Sequence, residues 1–83
     1  MTRPTGKHVI VIGAGGNIGS HLVPQLARMP ELARLTLIDR DRYEARNLDS
    51  QNLTRAEVGR PKATIQARRA RAINPGLMVC AIG

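Results

Sequence analysis

Four glycines, at positions 13, 15, 16 and 19, follow an apolar run at residues 9–12, and Asp39 closes a second apolar run at residues 35–38. Glycines allow a tight turn and a close backbone approach, and the N-terminus of a helix starting behind them attracts phosphate. Counted from Gly13, the last glycine of a Gly-x-Gly-x-x-Gly pattern arrives one residue late, at Gly19. Either the loop is one residue longer or Ala14 takes its first position. A carboxylate at a strand's end, where Asp39 falls, can accept both hydroxyls of an unphosphorylated ribose. Phosphate and ribose recognition together imply a nucleotide. Arg40 could meet a 2′-phosphate, but Asp39 repels that group, which disfavours NADP. A glycine-rich turn without a ligand and a capping aspartate are the bland alternatives.

These residues need a particular scaffold. Residues 8–12 form a continuous β-branched run, the pattern of a parallel strand covered on both faces. Ile18, Leu22, Leu26 and Met29, with Val23 beside them, recur at helical spacing over residues 17–29. Pro24 removes a backbone donor inside that helix and predicts a bend. Residues 35–39 form the second strand and complete a β-α-β unit. The polar stretch 40–61 reads as loops and short helical turns, one of them opened by the capping spacing Thr54-x-x-Glu57. A helix over residues 61–73 follows, with Pro61 in its first turn and Asn74-Pro75-Gly76 as its stop, and residues 77–82 form a third strand. The fold class is α/β, the first half of a Rossmann-like doubly wound parallel sheet: three strands with helical crossovers, spanning residues 1–83. In such sheets the ligand crevice opens where the winding reverses, beside a fourth strand that these residues do not contain.

The 83 residues carry 13 Lys and Arg against 6 Asp and Glu, a formal charge of +7, with Tyr43 as the sole aromatic. The core must therefore be aliphatic and small. Positive charge could draw nucleic acid, yet no aromatics are interleaved for base stacking, and Arg68, Arg69 and Arg71 read as the solvated face of a helix with Ala63, Ala67, Ala70 and Ile73 turned inward. Nucleic acid is therefore disfavoured as a partner. One cysteine, Cys80, fits a reducing cytoplasm and reads as a buried, inert thiol. No run approaches the length needed to cross a bilayer, and residues 1–7 lack a signal-peptide core. His8 and His21 have no spaced partners for a metal site or a triad.

Gly13-Ala-Gly-Gly-x-x-Gly-Ser20, then Asp39-x-Asp41-x-x-Glu44-x-x-Asn47-Leu48-x-x-Gln51, then Gly59-Arg-Pro-Lys62-Ala63 and finally Ile73-Asn-Pro75 resembles the ThiF/MoeB/HesA adenylating enzymes, relatives of the ubiquitin-activating enzymes. The resemblance runs from about Val9 to the end of the chain. It implies an adenylyltransferase that binds ATP with magnesium and activates the C-terminal carboxylate of a ubiquitin-like or sulfur-carrier protein as an acyl-adenylate, with release of pyrophosphate. By matching position, Gly13, Gly15, Gly16 and Gly19 with Asp39 would hold ATP, Asp39 taking the ribose. Asp41 and Asn47 would order the pocket, Gln51 would hold the following loop, and Lys62 would reach the triphosphate as the catalytic cation. An ammonium there offsets charge built on the phosphate oxygens when a carboxylate attacks the α-phosphorus.

The chain departs from that pattern in places. Ser50 stands where the family carries an arginine, and Arg46 and Arg55 are the two candidate substitutes. The family's magnesium-associated aspartate lies beyond the third strand, so the magnesium ligand is expected outside these residues. The arginine-bearing helix that completes a neighbouring subunit's site, a feature of a homodimer, has no counterpart in residues 1–7. The chain therefore reads as an amino-terminal piece that is inactive alone. Two other readings stay open: an NAD-binding half-domain of an oxidoreductase or regulatory module, which needs the glycines and Asp39 but not Asp41, Asn47, Gln51 or Lys62, and a non-catalytic interaction remnant.

Overall fold

The computed structural model describes residues 6–83, so the readings of residues 1–5 lie outside it. The elements run β1 (Lys7–Ile12), α1 (Asn17–Ala27), β2 (Leu32–Ile38), two short 3-10 turns (Ala45–Asp49 and Arg55–Glu57), α2 (Lys62–Ile73) and β3 (Met78–Ile82). All three strands are parallel, in the order β1-β2-β3, joined by helical crossovers as expected of an α/β Rossmann-like sheet. Strand β2 begins at Leu32, three residues earlier than the apolar run suggested, because Leu32 is buried and pairs with Lys7.

Register decides which side chains enter the core. Val9 and Val11 of β1 lie beside Leu35 and Leu37 of β2, which lie beside Val79 and Ala81 of β3. On this face Val23, Leu26 and Ala27 of α1 and Ala67 and Ala70 of α2 close a single aliphatic cluster. Both helices pack here. The opposite face carries Ile10, Ile12, Met78 and Ile82, exposed at 56%, 81%, 60% and 46%. Within the described residues only one face of the sheet is covered, so the both-faces pattern read at residues 8–12 is not completed by these residues themselves. Cys80 lies on the open side and is exposed, not buried as its strand position suggested.

The inward face of α1 also differs from the periodic reading. Gly19, Ser20, Val23, Leu26 and Ala27 are buried, whereas Ile18, Leu22 and Met29 are exposed. Hydrophobic spacing identified the helix but misplaced its seam. The seam is set by Gly19, where a Cβ would come within 2.3 Å of the Gly13 carbonyl oxygen, and by Ser20, whose hydroxyl accepts the Asn52 amide at 2.9 Å. Small residues face in because the glycine loop and the 50–53 segment approach α1 closely.

Helix α1 continues through Pro24 to Ala27. Proline cannot donate to the Ser20 carbonyl four residues back. The Asn52 side-chain nitrogen donates to that carbonyl instead, at 3.3 Å, so the acceptor freed by Pro24 is satisfied from another segment. Pro61 precedes α2 with an extended ψ of 130° and caps it rather than occupying its first turn. The spacing Thr54-x-x-Glu57 does what it implied: Glu57 accepts the Thr54 amide at 2.7 Å. Arg69 corrects the reading of a wholly solvated basic face. It is half-buried, pairs with Glu57 at 2.6 Å and donates to the Asn52 carbonyl, while Arg68 and Arg71 are exposed.

Candidate functional site

The carboxyl ends of β1 and β2 bring the glycine loop and Asp39 together. The amides of Gly13 and Ala14 donate to the Ile38 carbonyl at 2.7 and 3.3 Å, which seats the loop on the end of β2. Gly13 has φ +75°, a conformation that favours glycine, and it begins the turn, in keeping with the reading that counts the loop from Gly13. Asp39 is buried, and each of its oxygens is held: Oδ2 accepts the Gly15 amide at 3.1 Å and Oδ1 accepts the Asp41 amide at 3.0 Å. A carboxylate offers about four lone-pair sites, so both oxygens keep capacity for hydroxyl donors.

Lys62 reaches the same place from the start of α2. A short antiparallel ribbon carries it there: Lys62 N donates to Asp41 O at 2.9 Å, Tyr43 N to Arg60 O at 2.9 Å, and Gly59 N to Tyr43 O at 2.7 Å. The Arg42 guanidinium adds a bond to Gly59 O at 3.1 Å. The Asp39 carboxylate and Lys62 are thereby tied through the short backbone segment 39–41. The Lys62 stem lies against Gly15, where a Cβ would sit 2.3 Å from Lys62 Cβ and 2.8 Å from Cγ and Cδ. Its ammonium stands 5.4 Å from the centroid of the Tyr43 ring.

Buried lysines are rare unless paired. Lys62 is only 8% exposed, yet among the described residues no carboxylate lies within ion-pair distance of it. Lys62 lines a cleft of about 410 Å3 together with Arg40, Asp41, Arg42, Glu44, Arg46 and Asn47. Arg40 separates this cleft from a second, of about 400 Å3, bounded by Ile12, Gly13, Ile38, Asp39 and Ile82. An apolar-walled hollow with the carboxylate thus adjoins a cationic one with the lysine.

The other residues singled out in the sequence take distinct positions. Gly16 donates to the Gly13 carbonyl at 3.0 Å, so the amides of Gly15 and Gly16 both serve the loop, while the first-turn amides of α1 have no partner within the helix. Gly19 packs under the loop. Asn47 is buried in the middle of the first 3-10 turn: its Oδ1 accepts the amide of the N-cap residue Glu44 at 2.7 Å, and its side-chain nitrogen has no protein partner among the described residues. Asp41 is exposed at the rim. The Gln51 amide donates back to Asn47 O of the preceding 3-10 turn at 2.9 Å, whereas its side-chain Oε1 is buried without a partner. Ser50 lies outside the cleft and accepts a bond from His21 at 3.2 Å. Arg46 lines the cleft, in an exposed pair with Glu44 at 2.8 Å, and Arg55 does not.

Tyr43 was not among the residues read as functional. It is 1% exposed, and its hydroxyl accepts a bond from the buried Gln66 Nε2 at 2.7 Å. Burial pushes its hydroxyl pKa above the usual 10.0 despite the Gln66 bond and the nearby Arg69 charge, which pull the other way. Its position as the sole aromatic, between Asp41 and Asn47, was the one available sign.

The ThiF family matches residues 4–82. The chain belongs to that family. Over 78 residues it is 40% identical to the human ubiquitin-like modifier-activating enzyme 7, covering 88% of this chain and 8% of that protein. It is 38% identical over 68 residues to the sulfur carrier protein adenylyltransferase of Thermus thermophilus, covering 81% of this chain and 24% of that one. The crystal structure of Escherichia coli tRNA N6-threonylcarbamoyladenosine dehydratase in complex with ATP superposes with a TM-score of 0.83 at 37% identity, covering 90% of this chain and 30% of that one. The chain spans less than a third of the length of each of these ThiF-family relatives. Among the described residues no helix is long and apolar enough to cross a membrane.

Proposed function

We propose that this ThiF-family chain is the ATP-binding, amino-terminal part of an adenylating domain, and that the whole protein activates the C-terminal carboxylate of a ubiquitin-like or sulfur-carrier protein as an acyl-adenylate. The observation that carries the reading is Lys62: a cation with a covered stem and no ion-pair partner among the described residues, abutting Gly15, whose amide binds Asp39. An ammonium so placed lacks a counter-charge that a triphosphate supplies. The ATP complex of a relative and the names of two others support the same chemistry.

In this reading Asp39 accepts the ribose hydroxyls while its bonds to Gly15 and Asp41 keep it aligned. Asn47 offers its amide nitrogen to the nucleotide, and the helix α1 N-terminus favours phosphate. Lys62 draws negative charge from the phosphate oxygens as the incoming carboxylate attacks the α-phosphorus and pyrophosphate departs, a charge present in the transition state and stabilised best by a preplaced cation. Arg46, rather than Arg55, is the cation positioned to act where Ser50 replaces the family's arginine. Magnesium brought with ATP would take its protein ligand elsewhere in the whole protein, as a partner subunit or the remaining fold would complete the pocket.

Calorimetric titration of the intact protein with ATP, adenosine and NAD tests the reading. ATP should bind more tightly than adenosine, and Lys62→Ala should remove most of that difference. NAD binding indifferent to Lys62→Ala would transfer the site to the dinucleotide class. ATP–pyrophosphate exchange that depends on a glycine-terminated small protein identifies the carboxylate; exchange that depends on a tRNA instead would move the substrate toward that of the threonylcarbamoyladenosine relative.

A further inference from the structure

We infer that Tyr43 is a positioning residue for Lys62, a buried aromatic platform that keeps the ammonium aimed into the phosphate cleft before nucleotide arrives. The inference rests on the reading that Lys62 meets the phosphates of ATP, and it adds the device that holds Lys62 ready.

A lysine side chain has four rotatable bonds and, at an open helix start, samples many rotamers. Two surfaces restrict this one. Gly15 lies against its stem so closely that no side chain fits between them, and the Tyr43 ring lies beneath its tip with the ammonium 5.4 Å from the centroid. That separation falls inside the range of about 6 Å over which a ring face attracts a cation. The ring is held in turn. Its backbone is bonded in both directions to residues 59 and 60, and its hydroxyl accepts from Gln66 Nε2, which also donates to Asn52 O at 3.2 Å. Gln66 belongs to the same helix that Lys62 begins, so platform and lysine are referenced to one element.

A neutral ring suits this task better than a carboxylate. A carboxylate at that spot would pair with Lys62 and compete with the phosphates, whereas a ring face attracts the ammonium weakly and leaves its donors free. With the ammonium already placed, less freedom is lost when ATP binds, and the gain appears as affinity for the phosphates. Adenosine, which has none, should not register it.

The test uses the intact protein, with ATP and adenosine affinities measured by calorimetry. Tyr43→Phe keeps the ring and should keep ATP affinity within about twofold. Progressive fluorination of that phenylalanine drains the ring face of negative charge with little change of shape, and it should lower ATP affinity stepwise to a total of about fivefold to tenfold, with adenosine unchanged. In a Lys62→Ala background the fluorinated series should be flat. A flat series with Lys62 present, or an equal decline with Lys62 absent, overturns the role of Tyr43 while leaving the lysine's own role standing. ATP affinity unaltered by Lys62→Ala overturns both. Tyr43→Leu, if it folds, should fall below Tyr43→Phe in ATP affinity, and equality of the two also overturns the inference.

Discussion

Gly15→Ala and Gly13→Ala should fail for different reasons, and the contrast tests how the site is built. An added Cβ at position 15 meets Lys62 Cβ at 2.3 Å and its Cγ and Cδ at 2.8 Å. The first of these atoms is fixed by the α2 backbone, so a rotamer change cannot clear the overlap. Either α2 moves away from the loop or the loop moves away from Asp39, breaking the 3.1 Å bond from the Gly15 amide. Overpacking costs about 1–3 kcal/mol, and a lost hydrogen bond to a charged acceptor about 1.5–3 kcal/mol. Because one movement relieves the other, we expect roughly 2–4 kcal/mol of destabilisation in total. At position 13 an added Cβ meets nothing within 4 Å, and the cost is conformational, from φ +75°. That amounts to about 1–2 kcal/mol. Urea unfolding followed by circular dichroism measures both losses, and ATP calorimetry shows their effect on the site. Gly15→Ala should lose ATP affinity more than tenfold, by displacing Lys62, and Gly13→Ala only a few-fold. Equal losses of stability and affinity at the two positions would refute the claim that Gly15 is reserved for the lysine.

Other consequences can be measured on the same protein. Because Tyr43 is the sole tyrosine of these 83 residues, absorbance titration of the 83-residue chain isolates one group; the folded midpoint should lie above 10.0 and return toward 10.0 in urea. The sign follows from burial: the folded state holds the proton more tightly, so this contribution to stability is complete below pH 10 and is lost as pH rises through the raised folded value, and Tyr43→Phe should flatten that part of the curve. Asn52→Ala should cost about 1–2 kcal/mol, since it orphans the Ser20 carbonyl that Pro24 cannot serve. In a Pro24→Ala background, where residue 24 regains a donor, the same change should cost less, as a double-mutant cycle in urea will show. The 83-residue chain should self-associate through the open sheet face, and Ile12→Lys with Ile82→Lys should shift sedimentation toward smaller species; a stable monomer before these changes would count against the idea that further chain covers this face.

Much of this architecture was legible because it depends on neighbours in sequence. The apolar runs marked three parallel strands, the glycines marked the loop, and Pro61 followed by Lys62 marked the start of α2. The inward face of α1 was not legible. Ile18 and Leu22 have the composition of core residues, but the face of a helix is chosen by what approaches it, and here Gly19 and Ser20 admit the glycine loop and Asn52. Arg69 looked like its neighbours Arg68 and Arg71 and differs only because Glu57 lies beside it. Cys80 sits in a strand, yet which side of a strand is covered depends on helices placed elsewhere.

Residue types and spacing alone determined the ThiF-family pattern, and the proposal of one chemistry for Gly15, Asp39 and Lys62 starts there, because backbone permissiveness, carboxylate and ammonium are properties each residue carries wherever it lies. Only the tertiary structure decided that these groups touch in series, that Arg46 and not Arg55 faces the cleft, and that Tyr43 lies under the lysine. Those are distances between segments far apart in sequence, set by the pairing of β1 with β2 and by the ribbon joining residues 41–43 to 59–62. Local preference does not encode such separations; the packed sheet and its crossovers create them.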